Sequence, residues 1–247
     1  MSVKAIVSLV CLSIALFVQS SLCESSKRFK NTSAFSTRLN PKAFFSQACQ
    51  DEFVYVVLYD LMNKKDQGYY LEIGAADPVA NNNSYFFEKN YDWKGVSIEI
   101  NERFLQPWIK QRINPLLIED ATKSDFVSIL QSFPHDIDYL SLDVDGNYDY
   151  VLARIPLHNY TFKIITIEHD FYRFGNVYRE KERAILNSYG YHLLCSDVIY
   201  PGLGAFEDWW IHPSAFESSD FLKLVSLDLH KKSYQEMVKI LKTLIQP

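Results

Sequence analysis

Between residues 69 and 211 the chain alternates short apolar runs with stretches of helical periodicity. The runs are "YYLEIG", "GVSIEI", "PLLIEDA", "IDYLSLDV", "KIITIEHD" and "YHLLCS". Between them lie "SYFFEKNY", "ERFLQPWIKQR" (where Pro107 is expected to kink or shorten the helix), "KSDFVSILQSF", "DYVLARIPL" and "REKERAILNSYG". Near-continuous apolar strands separated by helices predict a parallel sheet covered on both faces. Ahead of the first strand, "QDEFVYVVLYDLMNKK" predicts a helix ending near Gly68. Beyond Cys195, "VIYPGLGAFEDWWIHP" carries turn signals between two strand-like pieces, which predicts an antiparallel edge hairpin. "SDFLKLVSLDLHKKSYQEMVKILKTLIQ" closes the chain as one or two amphipathic helices.

The first 23 residues have a different pattern. One lysine precedes an apolar run of about 14 residues, then small and polar residues through Cys23, as in a secretory signal peptide cleaved before Glu24. The run is short for a full membrane span, and an uncleaved signal anchor is the rival reading. Leu22 sits where a lipoprotein signal needs a small residue before the cysteine, which disfavours that reading. Residues 24–45 are polar without periodicity and read as a linker, leaving residues 46–247 as one α/β domain. Cleavage would leave Cys49 and Cys195, either paired in an oxidising compartment or as two buried thiols. Asn31, Asn82 and Asn159 head N-glycosylation triplets, with Asn31 the best placed of them. The net charge of −5 argues against a broad basic surface for nucleic acid. It argues equally against one for anionic lipid, so membrane contact would come only through a retained N-terminal anchor.

Chemistry concentrates where the strands end. Glu72 precedes Gly74, and further ends carry Glu99, Asp120, Asp143 with Asp145, and Glu168 with Asp170. In open α/β sheets ligands sit beyond these carboxyl ends. One acid there is usually a cap or a surface charge; five successive ends imply a ligand rich in hydroxyls or amines, or cationic, or a metal. The stretch "YLEIGAADP" has one glycine where a dinucleotide site needs three, and Pro78 offers no N–H. An NAD-dependent oxidoreductase is therefore disfavoured. A nucleoside with an amino-acid tail and no phosphate, such as S-adenosylmethionine, needs less of that cradle.

The ordered set "SQACQDEFVYVVL", "GYYLEIGAADP", "NNNSYFFEKNYDWKGVSIEIN", "LIEDA", "IDYLSLDVDGNYDYVL" and "IITIEHD" resembles FkbM-type methyltransferases, within the class I S-adenosylmethionine-dependent superfamily. The resemblance spans residues 46–213. It implies a Rossmann-like, seven-stranded, mostly parallel sheet with the last strand antiparallel. By position it places the methionine moiety near Glu72, Gly74 and Ala76, the ribose hydroxyls on Glu99, and the adenine edge near Asp120 and Ala121. Asp143 would face the methyl group and the acceptor, and Gln47 and Asp51 would close over the cofactor. Asp145 stands where the family usually has Glu.

The implied activity is O-methylation in the secretory pathway, of a glycan or small-molecule hydroxyl. Asp143 and Asp145 are candidate general bases; for Asp145 the competing role is a turn that caps the next helix. His169 would orient an acceptor or satisfy a core hydrogen bond. Asp143, Asp145, Glu168 and Asp170 would supply an oxygen-rich Mg2+ site if a metal is used. Trp209 and Trp210 are placed near the acceptor edge, at least one of them as packing. The alternative is a non-catalytic adaptor or cargo-binding protein built on the same fold, which the retention of Gly74, Glu99 and Asp143 disfavours.

Overall fold

The computed structural model describes residues 43–245. Seven strands form one sheet: β1 Tyr69–Ile73, β2 Lys94–Glu99, β3 Leu116–Ile118, β4 Asp136–Leu142, β5 Thr161–Glu168, β6 His192–Tyr200 and β7 Gly204–Ile211. Their order is β3-β2-β1-β4-β5-β7-β6. Neighbours among β1 to β5 pair parallel, and β7 runs antiparallel to both β5 and β6. The expected architecture is present. The order reverses at β1/β4, the switch point where open α/β sheets bind ligands.

Strand side chains alternate between faces, and two cores follow. Tyr70, Tyr139, Ile164 and Trp209 lie on one face, under α1 (Gln50–Tyr55), α2 (Tyr85–Tyr91) and the C-terminal helix. Leu71, Leu140, Ile165 and Trp210 lie on the other, with Phe126, Val151 and Leu186 of the crossover helices. Those crossovers are α3 (Leu105–Gln111), α4 (Phe126–Leu130), α5 (Tyr148–Arg154), α6 (Phe171–Phe174) and α7 (Arg179–Ser188); α8 (Ser218–Val225) and α9 (Tyr234–Leu241) follow β7.

Four local expectations are corrected. The first helix stops at Leu61, because α1 runs into a wider π-helical turn, Val56–Leu61, closed by Met62 N–H donating to Val57 O at 3.0 Å. Pro107 is the third residue of α3, where its missing N–H has no intrahelical partner to lose, so it breaks nothing. "YHLLCS" and "VIY" are one strand, β6, with register shifts around Cys195 and Val198. Its hairpin partner β7 lies inside the sheet, so Trp209 and Trp210 are both fully buried and neither reaches an acceptor edge. Trp209 stacks on Phe53 with ring centroids 4.6 Å apart.

Phe44 and Phe45, inside the predicted linker, pack against the core, Phe44 at 4.6 Å from the Phe86 ring. Cys49 and Cys195 are both free thiols. Burial pushes the Cys49 thiol up to about 12 and raises the Cys195 thiol well above its ordinary value. The predicted signal segment and most of the linker, with Asn31, lie outside the described residues.

Candidate functional site

At the end of β1 the chain turns through Gly74, with φ +85°. A Cβ there would lie 1.5 Å from the carbonyl oxygen of Asp143, just past β4, so only glycine lets the two strand ends approach this closely. The loop beyond is held from below by Glu72. Its carboxylate, buried in the sheet, accepts from Asn82 Nδ2, Asn83 N, Ser84 N, Ser84 Oγ and Ser97 Oγ. Those partners occupy Glu72 inside the protein, which corrects its expected place beside a methionine moiety. It shapes the loop that would do so.

Arg112, with its side chain fully buried, clasps the same loop. Its guanidinium donates to Glu88 Oε2 (2.9 Å), Pro78 O (3.0 Å), Asn82 Oδ1 (2.9 Å), Tyr70 Oη (3.0 Å) and Ser84 Oγ (2.8 Å). It also lies 4.3 Å from the Trp108 ring. Nothing in the local sequence around Arg112 signals this role, since every partner but Trp108 is more than twenty residues away.

Glu99 ends β2, and its oxygens accept from Ala76 N at 2.9 Å and Asn101 N at 2.8 Å. A carboxylate oxygen has two lone-pair sites, so each retains one for a ribose hydroxyl. The backbone amides also fix the carboxylate's direction. Asp120 is partly exposed beyond β3 and held down at about 2 by Lys123 and Thr122, while Ala121 is buried beside it. Gly74, Ala76 and Glu99 thus form one rim over β1 and β2. This rim fits a nucleoside with an amino-acid tail.

The other half of the site is an acidic cavity of about 280 Å³, lined by Gln47, Asp143, Asp145, Glu168, Asp170, Tyr172, Tyr200, Leu203 and Phe206. Beneath it the sheet places three carboxyls on neighbouring strands: Asp143 just past β4, Glu168 ending β5, and Glu207 directly opposite Glu168 on β7. Burial pushes Asp143 up to about 6, with Asp145, Asp170 and Glu99 adding to it and a hydrogen bond with Glu168 opposing it. Burial and Asp143 also raise Glu168. Glu207 is pushed up to about 8 by burial, against hydrogen bonds from Trp209 Nε1 (2.7 Å) and Gln50 Nε2 (3.1 Å) to its Oε2. The row therefore holds protons near neutrality.

Sequence reasoning passed over Glu207 and Gln50. The alternation Glu207, Trp209, Ile211 on one face of a strand was the available signal.

Asp145, Gly146 and Asn147 all have positive φ, a sharp turn that Asp, Gly and Asn tolerate. Asp145 does not cap the following helix. Its side chain is 91% exposed on the cavity rim, 4.0 Å from Arg173. Asp170 also lines the cavity and accepts from Tyr148 Oη at 3.1 Å.

Two predicted site residues lie elsewhere. Asp51 is fully buried and accepts from Phe45 N, Ser46 N, Ser46 Oγ and Glu52 N, so it folds the corner that leads into α1. His169 is fully buried on the opposite side of β5 from Glu168. Its Nδ1 accepts from Phe171 N at 3.1 Å, which puts the proton of the neutral ring on Nε2, 3.6 Å from Asp208 Oδ1. It cannot reach an acceptor in the cavity.

The predicted metal set does not converge. Among the described residues, only His169, Asp197 and Asp208 bring ligand atoms within 4.8 Å of one another. That trio is already neutralised, because Arg183 forks onto Asp208 and also reaches Asp197, and Arg179 pairs with Asp197. A metal on Nε2 would in addition force the ring proton onto Nδ1, against the Phe171 N–H.

No protein-family model and no curated protein matches the sequence. Among solved structures, the chain is similar to a candidate O-methyltransferase of Klebsiella pneumoniae, with TM-score 0.50 and 14% identity over 69% of this chain and 82% of that one. It is also similar to a candidate class I S-adenosylmethionine-dependent methyltransferase of Listeria monocytogenes, with TM-score 0.53 and 8% identity over 85% of this chain and 74% of that one. At these identities the likeness establishes the fold alone, which this chain shares with both proteins.

Proposed function

We propose that the protein is an S-adenosylmethionine-dependent O-methyltransferase of the FkbM type, acting on a glycan or small-molecule hydroxyl in the secretory pathway. One observation carries the reading most. A fixed ribose-type acid, Glu99, and a proton-holding row of carboxyls beginning at Asp143 flank the same switch point, on either side of Gly74.

S-adenosylmethionine, when bound, supplies an electrophilic methyl group on a sulfonium. The chain's own residues do the rest. Glu99 would bind the ribose and fix its orientation. Asp143, titrating at about 6, would accept the proton of the acceptor hydroxyl. Glu168 and Glu207, in their protonated forms, would keep the negative charge on Asp143. Tyr172 and Leu203 on the exposed rim offer apolar surface to the C–H faces of a sugar ring.

The test is transfer of isotopically labelled methyl to a panel of hydroxyl-bearing glycosides. Activity should rise as pH passes about 6, where Asp143 ionises, and Asp143→Asn should abolish transfer while S-adenosylmethionine still binds. Labelling that survives in Asp143→Asn would remove this residue from the chemistry.

One observation favours the adaptor reading: all of Glu72, and one lone pair on each oxygen of Glu99, are already taken by protein groups. A folded protein that binds neither S-adenosylmethionine nor its demethylated product would decide for it.

A further inference from the structure

Two Asn-X-Ser/Thr triplets fall within the described residues, and they sit in opposite environments. Asn82 is 1% exposed. Its Nδ2 donates to Glu72 Oε2, Ala75 O and Asp77 O, and its Oδ1 accepts from Ser84, Tyr85 and Arg112. A substituent on that nitrogen would displace the loop it holds.

Asn159 is exposed, in the turn between α5 and β5. Its backbone is fixed: N–H donates to Pro156 O at 2.9 Å, and its carbonyl meets His135 Nδ1 at 2.9 Å. Tyr160 is anchored through its hydroxyl to Leu130 O at 2.9 Å. The Asn159 side chain itself makes no hydrogen bond to the described residues. Thr161 opens β5, whose far end is Glu168. Seven residue steps at about 3.3 Å put the triplet roughly 23 Å from the acidic cavity.

We propose that Asn159 is an N-glycosylation site and that Asn82 stays unmodified. The inference rests on the secretory reading. The donor class is a lipid-diphosphate-linked oligosaccharide. Asn159 Nδ2 forms a bond to the anomeric carbon as the sugar's C–O bond to the diphosphate breaks. The lipid diphosphate leaves with that electron pair, and the amide nitrogen gives up one proton to solvent. A glycan at Asn159 projects from the end of the sheet opposite the site and leaves the cavity open. One at Asn82 is incompatible with the folded loop, so molecules carrying it would not mature.

The test expresses the full chain in a secreting eukaryotic cell and treats it with a peptide N-glycosidase, which converts a glycan-bearing Asn to Asp. Peptide mass spectrometry should find conversion at position 159 and none at position 82. Asn159→Gln and Thr161→Val should each abolish the conversion at 159 without lowering the yield of folded protein. Conversion at 82 in folded protein, or none at 159, overturns the proposal. Protease protection in microsomes from the same cells separates the causes. An unmodified but protected chain overturns the site alone, and an unprotected chain overturns the secretory reading with it.

Discussion

Replacing Arg112 by methionine removes a buried guanidinium from five hydrogen bonds and leaves the Glu88 carboxylate, also buried, without its cation. Methionine fills much of the aliphatic volume, so cavity formation adds little. The cost is then set by the stranded charge and the unpaired Tyr70, Ser84 and Asn82 groups. Breaking a buried pair from one side costs about 3–5 kcal/mol. Domains are stable by about 5–15 kcal/mol in all, so roughly a fifth or more of the total is at stake. At about 2–4 °C per kcal/mol for a chain of this size, the melting temperature should fall by about 6–20 °C.

Urea denaturation at pH 7 gives the free energy, and calorimetry gives the temperature. The double variant Arg112→Met with Glu88→Leu should recover part of the loss, because no charge is left stranded. A single-variant loss below about 1 kcal/mol would refute the reasoning. It would mean that the loop over Glu72 is held by its own turns and not by the clasp.

Three further outcomes follow from groups away from the cavity. Glu182, 1% exposed with neither carboxyl oxygen paired, is pushed up to about 9 by burial, with Asp208 and Asp149 adding to it and Arg183 opposing. A carboxyl raised in the folded state stabilises fully below its unfolded pKa of 4.5, and that contribution is lost as pH rises toward 9. Between pH 4.5 and 7 the loss is at most about 3 kcal/mol. Glu182→Met should therefore gain stability relative to wild type as pH rises, measured by urea titration at several pH values; a pH-independent difference would contradict the buried, raised carboxyl. In a chain lacking the first 23 residues, a thiol reagent should label neither Cys49 nor Cys195 quickly in the folded protein and both after unfolding. Reductant should leave the melting temperature unchanged, and a drop would show that the two thiols pair.

The parallel core was legible because β1, β2, β4 and β5 are buried on both faces and read as apolar runs whose lengths suit strands. The acidic ends were legible for the same reason, as the first charges after each run. Depth was not. Glu72, Asp51 and His169 look like Glu99 and Asp143 in sequence, and only the fold shows that protein donors hold the first two and that His169 faces away from the cavity. Glu207 was lost because "FEDWWI" reads as an edge strand when β7 is assumed to be the rim. The insertion of β7 between β5 and β6 is a long-range pairing that no local pattern encodes. The clasp by Arg112 is hidden likewise, its carboxylate partner lying 24 residues away along the chain.

Calorimetric titration of the purified protein with S-adenosylmethionine and S-adenosylhomocysteine, wild type beside Glu99→Ala, is the most direct test. Removing a charged acceptor from the ribose hydroxyls should cost about 1.5–3 kcal/mol, a loss of affinity of roughly tenfold or more. Binding that weakens by that factor in the variant is the expected result. A folded wild-type protein that binds neither ligand, or a Glu99→Ala variant that binds as tightly as wild type, would contradict the assignment of this strand end as the cofactor site.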